Sequence, residues 1–188
     1  MSQQTMFSSG SFQSDSSSSV RAKVFGIGGA GVSLVDGLCL DGFDAVRTIA
    51  IDVDKDAKSL TICDNGIGMT HDEMIENLGT IARSGTTAFV EQLSGDAKKD
   101  VSVIGQFGVG FYSSFMVADK VEVISRRAGE DSAWCWTSDG KGAFTLAKAE
   151  RDGRGTSVIV HLKEDQSEFA EPMRVRHVIT TYSDHIAF

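Results

Sequence analysis

Cysteine is scarce in this chain, and Cys39, Cys63 and Cys135 are odd in number with no metal-type spacing. That excludes a disulfide framework and makes a reducing, cytoplasmic setting the expectation. No apolar run is long enough to span a bilayer, and the N-terminus lacks the basic start and apolar segment of a secretion signal. Positive charge is in deficit: 18 Lys and Arg against 26 Asp and Glu leave a formal net charge of -8. Such a balance argues against a nucleic-acid or anionic-membrane surface, although a local positive site can still hold a nucleotide. Histidine is sparse too, and His71, His161, His177 and His185 are too scattered to suggest a metal site.

What remains is 188 residues, 41% hydrophobic and 23% charged, enough for one core of ordinary size in a soluble globular domain. Residues Met1 to Ser19 are rich in Ser and Gln and bury too little to order themselves, so they read as a disordered tail. The rest is organised around Asp64-Asn65-Gly66-Ile67-Gly68-Met69, at the exit of a short alternating strand. Leu60, Ile62 and Asp64 share one side of that strand, with Thr61 and Cys63 on the other. A carboxylate thus ends an apolar face, and a Gly-x-Gly turn follows at once. Glycines there let the backbone approach a flat ligand, and the carboxylate can accept a hydrogen bond from an exocyclic amine such as that of adenine. The bland alternative is a strand ending in an Asn-Gly turn. Next, Thr70-His71-Asp72-Glu73 forms a capping box that opens a helix with Met74, Ile75 and Leu78 facing inward and Gly79 closing it. Asp72 and Glu73 supply favourable charge at the helix start and are not a catalytic pair.

A second glycine-rich turn, Gly105-Gln106-Phe107-Gly108-Val109-Gly110-Phe111, leads into a helical run from Tyr112 to Ala118. Read with Asp64 to Met69 and with Glu76-Asn77-Leu78-Gly79-Thr80-Ile81-Ala82, it closely resembles the ATP-binding domain of bacterial HtpG-type chaperones of the heat shock protein 90 family. Those chaperones belong to the gyrase, histidine-kinase and MutL (GHKL) ATPases, and the resemblance runs from about residue 52 to the C-terminus. It implies a two-layer α/β sandwich of the GHKL, or Bergerat, type with a mainly antiparallel mixed sheet, and ATP or ADP with Mg²⁺ as ligands.

By resemblance, Asp64 bonds the adenine amine, Gly68 and Thr156 complete the base pocket in part through water, and Met69 packs on the ring. Asn77 reaches the phosphates and their Mg²⁺, while Gly108, Val109, Gly110 and Phe111 present backbone N–H groups to the phosphates at a helix start. Arg83 stands where the family commonly has a Lys, which implies a phosphate contact of different geometry. The stretch Arg83 to Ile104 corresponds to a lid that closes over the nucleotide. In the family context the partners are unfolded client proteins in the stress response. The segments that clamp and dimerise the full chaperone are not found, and neither nucleic acid nor membrane is expected as a partner.

Ahead of this lies a different signal. A strand, Val20 to Phe25, meets Gly26-Ile27-Gly28-Gly29-Ala30-Gly31, then a helix from Val32 to Leu40 and a second strand, Thr48 to Asp52. The G-x-G-x-x-G between strand and helix could hold a phosphate, and the position of Asp52 permits a dinucleotide reading. The wording instead resembles the opening strand-loop-helix-strand of FtsZ- and tubulin-type GTPases over about residues 21–57. The chain therefore divides into a tail (1–19), a Rossmann-like βαβ arm (20–57) and a partial HtpG-type domain (52–188) sharing one strand. The catalytic residue is missing: the family carries a general-base Glu and a Mg²⁺-holding Asn on a helix before the Asp64 strand. Here no Glu precedes Glu73 and no Asn precedes Asn65. A positioned general base contributes about 10²–10⁴-fold, so little or no hydrolysis is expected. The alternatives are a GTP-binding FtsZ-like cell-division fragment and a non-functional chimera.

Four strands are expected after the second glycine turn: Lys120 to Arg126, Ser132 to Thr137, Ala143 to Ala149 and Thr156 to Leu162. Trp134 and Trp136 share a face of the second and read as packing residues. A helix from Ser167 to His185, with Pro172 near its first turn, completes the chain.

Overall fold

The computed structural model of the protein describes residues 23–27, 47–79 and 110–182. Seven strands form one sheet in the order β1-β2-β3-β7-β4-β5-β6. They are β1 (Lys23–Ile27), β2 (Arg47–Asp54), β3 (Ser59–Asp64), β4 (Ala118–Arg126), β5 (Ala133–Ser138), β6 (Phe144–Ala149) and β7 (Gly155–Leu162). Strand β1 runs parallel to β2, and every other neighbouring pair is antiparallel. This is the mainly antiparallel mixed sheet of an α/β sandwich, with α1 (His71–Leu78) and α2 (Pro172–Tyr182) among its helices. Of the arm expected over residues 20–57, the described residues hold only the β1–β2 pair, with β1 running on through Gly26 and Ile27, which were expected in the loop. The helix expected from Val32 to Leu40 and the glycines beyond Ile27 lie outside the described residues, as do residues 1–19, the stretch expected as a lid and the last six positions.

Local chemistry accounts for the elements. The β2–β3 hairpin turns at residues 55–58, where Asp54 Oδ1 accepts from Ala57 N at 2.8 Å and Lys58 takes a left-handed φ of 48°. Helix α1 opens on the capping box: Thr70 Oγ1 accepts from Glu73 N at 3.2 Å, and Glu73 Oε2 accepts from Thr70 N at 2.8 Å. Met74 and Leu78, four residues apart, are its buried face. Ile75 was expected inward but is 38% exposed, because it lies a quarter-turn around from that face.

Two helical expectations are corrected. The run from Tyr112 to Ala118 is a short 3-10 helix, Phe111–Met116, and Ala118 already belongs to β4. The apolar spacing there serves a single tight turn, with Phe111 and Phe115 packed on the core. The helix expected from Ser167 onward is broken: a kinked 3-10 segment, Glu164–Ala170, precedes α2. Pro172 forces the break, since it restricts Glu171 to an extended conformation (φ -108°, ψ 119°).

The core lies on one face of the sheet. Val121 and Val123 of β4, Val160 and Leu162 of β7, and Trp136 of β5 bury themselves against Met74, Leu78 and Ala170. Trp136 is 2% exposed and touches Phe111 edge-on at 5.6 Å, while Phe144 stacks on it at 5.9 Å. Trp134 packs half-buried beside it, as the packing reading requires.

Candidate functional site

The topology decides where the polar residues meet. Strand β7 is inserted between β3 and β4 and runs antiparallel to both, so the end of β3, the start of β7 and the end of β4 share one end of the sheet. Registration places Asp64 opposite Thr156, and Thr156 opposite Ser125. These three side chains form one row on the core-facing side, at the sheet's end.

Asp64 is half-buried and held by the backbone around it. Its Oδ1 accepts from Gly66 N at 2.8 Å and from Thr156 N at 3.3 Å. Its carbonyl accepts from Arg151 Nη2 at 2.9 Å. The second carboxylate oxygen, Oδ2, has no hydrogen-bond partner among the described residues. One oxygen is therefore fixed in place, and the other is left as an acceptor whose satisfaction must come from outside these groups.

Next to it, Ser125 is fully buried. Its hydroxyl accepts from Met69 N at 2.8 Å and lies 2.9 Å from Thr156 Oγ1 and 3.2 Å from the Gly155 carbonyl. Sequence reasoning missed this residue. The signal was present, since Val121, Val123 and Ser125 alternate onto the core face and Ser125 is the polar member, the same logic that singles out Asp64.

Gly68 meets a constraint from within the chain. Its φ is 68°, and a Cβ there would lie 1.9 Å from the Arg126 carbonyl oxygen. Its missing side chain is thus needed for packing on the end of β4, with Ala128 N donating to the Ile67 carbonyl at 2.8 Å alongside. Met69 is half-buried and packs its side chain against the hydrophobic core. Asn77 is half-buried on α1, one turn beyond Glu73.

The second glycine motif enters the described residues only at its end. Gly110 caps the 3-10 helix and is exposed, and Phe111 turns its ring into the core, so any contact it makes to a ligand must come from its backbone. Tyr112 Oη donates to the Leu78 carbonyl at 2.9 Å, tying this turn to the C-terminus of α1. Partial burial raises the Tyr112 pKa, which keeps the phenol protonated as that donor. Arg83, Gly108 and Val109 lie outside the described residues. Among the described residues no cluster of three or more His, Cys, Asp or Glu could hold a metal ion.

A carboxylate ending a central strand, a glycine turn into a capped helix and a mainly antiparallel sheet behind them define a nucleotide-binding ATPase fold. The chain belongs to the histidine kinase-, DNA gyrase B-, and HSP90-like ATPase family, whose model matches residues 12–156. It is similar to the chaperone protein HtpG of Roseobacter denitrificans, 56% identical over 140 residues, covering 74% of this chain and 22% of that one. The HtpG proteins of Rhodospirillum rubrum (58% over 151 residues) and Paramagnetospirillum magneticum (57% over 148 residues) each cover 79% of this chain. The chain spans about a quarter of the length of these relatives, 22–24%. The family match runs through the whole of the segment read as the FtsZ-like arm, and no comparison supports that second resemblance.

Proposed function

We propose that this chain is an adenine-nucleotide-binding domain of an HtpG-type chaperone that binds ATP or ADP and hydrolyses ATP weakly or not at all. The observation that carries the reading is Asp64, with Oδ1 fixed by two backbone amides and Oδ2 left to accept. An exocyclic adenine amine donates to such an oxygen, whereas guanine presents a carbonyl at the corresponding position. Thr156 and Gly68 flank the base, and Met69 supplies its apolar contact. Gly108, Val109, Gly110 and Phe111 offer backbone donors to the phosphates, with Arg83 as a further cation.

Mg²⁺ at such a site is held mainly by phosphate oxygens and water, so a single amide oxygen from Asn77 fits its needs. When bound, the ion would neutralise phosphate charge. The weak hydrolysis follows from the absence of any Glu before Glu73 to act as the family's general base. Client proteins and a role in protein folding under stress belong to the longer relatives and come to this chain only through that likeness.

The test is thermal unfolding of the purified chain alone and with Mg-ADP, Mg-ATP or Mg-GTP, beside Asp64→Asn. A nucleotide at a hundred times its dissociation constant stabilises the fold by about 2.7 kcal/mol. Asp64→Asn should cost about 1–3 kcal/mol of binding. A shift with adenine nucleotides that disappears in Asp64→Asn supports the reading. A cooperative melt that no nucleotide moves overturns it, and a shift with GTP alone would favour the FtsZ-like alternative.

A further inference from the structure

We propose that Arg127 is a positioning residue that holds helix α1, and Asn77 with it, against the adenine end of the site; this rests on the nucleotide reading above. The Arg127 guanidinium follows directly on β4, whose end carries Ser125. Its Nη1 lies 2.9 Å from Glu73 Oε1, 3.1 Å from Glu73 Oε2 and 3.4 Å from the Gly68 carbonyl. Arg127 therefore touches both the loop that carries the base contacts and the helix that carries Asn77. Glu73 is already fixed, because its Oε2 accepts from Thr70 N in the capping box.

Asn77 stands four residues beyond Glu73, so both lie on one side of α1. With eight residues and its only buried side chains at Met74 and Leu78, α1 has a narrow hold on the core. The ends are pinned separately: Tyr112 bonds the Leu78 carbonyl at one end, and Arg127 grips Glu73 at the other. Loss of the Arg127 side chain leaves the base pocket largely in place, since Ser125 and Thr156 hold it independently, the Ile67 carbonyl keeps its bond from Ala128 N at 2.8 Å, and the contact to the Gly68 carbonyl is the longest of the three Arg127 makes. What changes is the placement of Asn77 relative to the base. Arg127 thus acts on the phosphate end of a nucleotide and not on adenine recognition.

The test is calorimetric titration of adenosine and of Mg-ADP into the wild-type chain, Arg127→Leu, Arg127→Lys and Glu73→Gln, with Asp64→Asn as the control for the site. Gln at position 73 preserves the capping-box acceptor while removing the charge that Arg127 grips. Arg127→Leu and Glu73→Gln should each weaken Mg-ADP by about 3–10-fold, with adenosine changed less than about twofold and Arg127→Lys recovering most of the loss. In the double variant the two losses should not add. If Arg127 instead contacts phosphate directly, Glu73→Gln frees it and Mg-ADP binds more tightly, which overturns the proposal. It is also overturned if adenosine and Mg-ADP weaken together, or if neither changes. A wild-type chain that binds neither ligand, or an Asp64→Asn variant that binds both normally, removes the nucleotide reading itself. Arg127→Lys and Glu73→Gln carry the test should Arg127→Leu fail to fold.

Discussion

The two faces of this sheet use the same strands and similar side chains to different ends. On the core face, Asp64, Thr156 and Ser125 form a row in which all but one acceptor is fixed by the backbone or by one another. On the opposite face, Cys63 Sγ donates to Ser157 Oγ at 3.2 Å and Arg151 Nη1 bonds the same hydroxyl. Lys120 Nζ there lies 2.6 Å from Glu122 Oε1. Ser157 is itself buried, but Cys63, Arg151, Lys120 and Glu122 around it are half-exposed, and water can replace what a substitution removes from them. A polar residue on the buried face has no such replacement, so its presence needs a structural or a chemical reason. Ser125 has the first and Asp64 has the second.

The contrast is sharpest at two adjacent residues of β5. Trp136 fills the core, while Cys135, next in sequence, faces the other way. Trp136→Ala should cost about 3–5 kcal/mol, a large fraction of a domain's whole stability, whereas Cys135→Ala should cost less than about 1 kcal/mol. Urea unfolding of the two variants checks this. Comparable losses at both positions would mean that the second face is covered as thoroughly as the first.

A smaller effect separates two serines of neighbouring strands. Ser125→Ala leaves the Met69 amide without its acceptor in a fully buried setting, which should cost about 1–3 kcal/mol. The same change at Ser157, also buried at 8% exposure, releases Arg151 and Cys63, which are both half-buried and can turn to water, and should cost less than about 1 kcal/mol. Denaturant midpoints at constant slope measure both. The comparison breaks if Ser157→Ala is the more damaging, because the Arg151 bond to the Asp64 carbonyl would then depend on Ser157 and tie the second face to the site.

Much of this arrangement was legible in the residues. Alternation marked β3 to β7 to within a few positions, and Thr70 with Glu73 marked the start of α1 because a capping box is local chemistry. Asp64 stood out as a carboxylate on an apolar face. The misreadings were places where a local pattern was ambiguous or a distant partner decided the outcome. Phe111 to Met116 has helical spacing but closes as a 3-10 turn into β4, and Pro172 stops one helix to begin another. The packing constraint on Gly68 was hidden because the backbone it must avoid, at Arg126, is 58 residues away in sequence. Arg127 was missed for the same reason: nothing near it in sequence announces Glu73, and only the return of β4 beside α1 brings them together.

The smallest effect tests the solvent-facing side by pH. Lys120, hydrogen-bonded to Glu122, holds the Glu122 carboxyl below its ordinary value, against an opposing contribution from partial burial. A carboxylate whose folded pKa is depressed adds stability above its unfolded pKa and loses it as pH falls through the folded value. Glu122→Gln should therefore cost less than about 1 kcal/mol near neutrality, in keeping with a partly exposed ion pair. That difference from the wild type should shrink as the pH drops below the ordinary value of about 4.5, where the unfolded chain takes up the proton first, and vanish once the pH has passed through the lower folded value. Urea unfolding at pH 7 and at successive points down to about pH 3 measures the difference. A cost that stays constant with pH would show that Glu122 contributes through packing and not through charge. A cost matching that of Ser125→Ala would erase the distinction between the two faces.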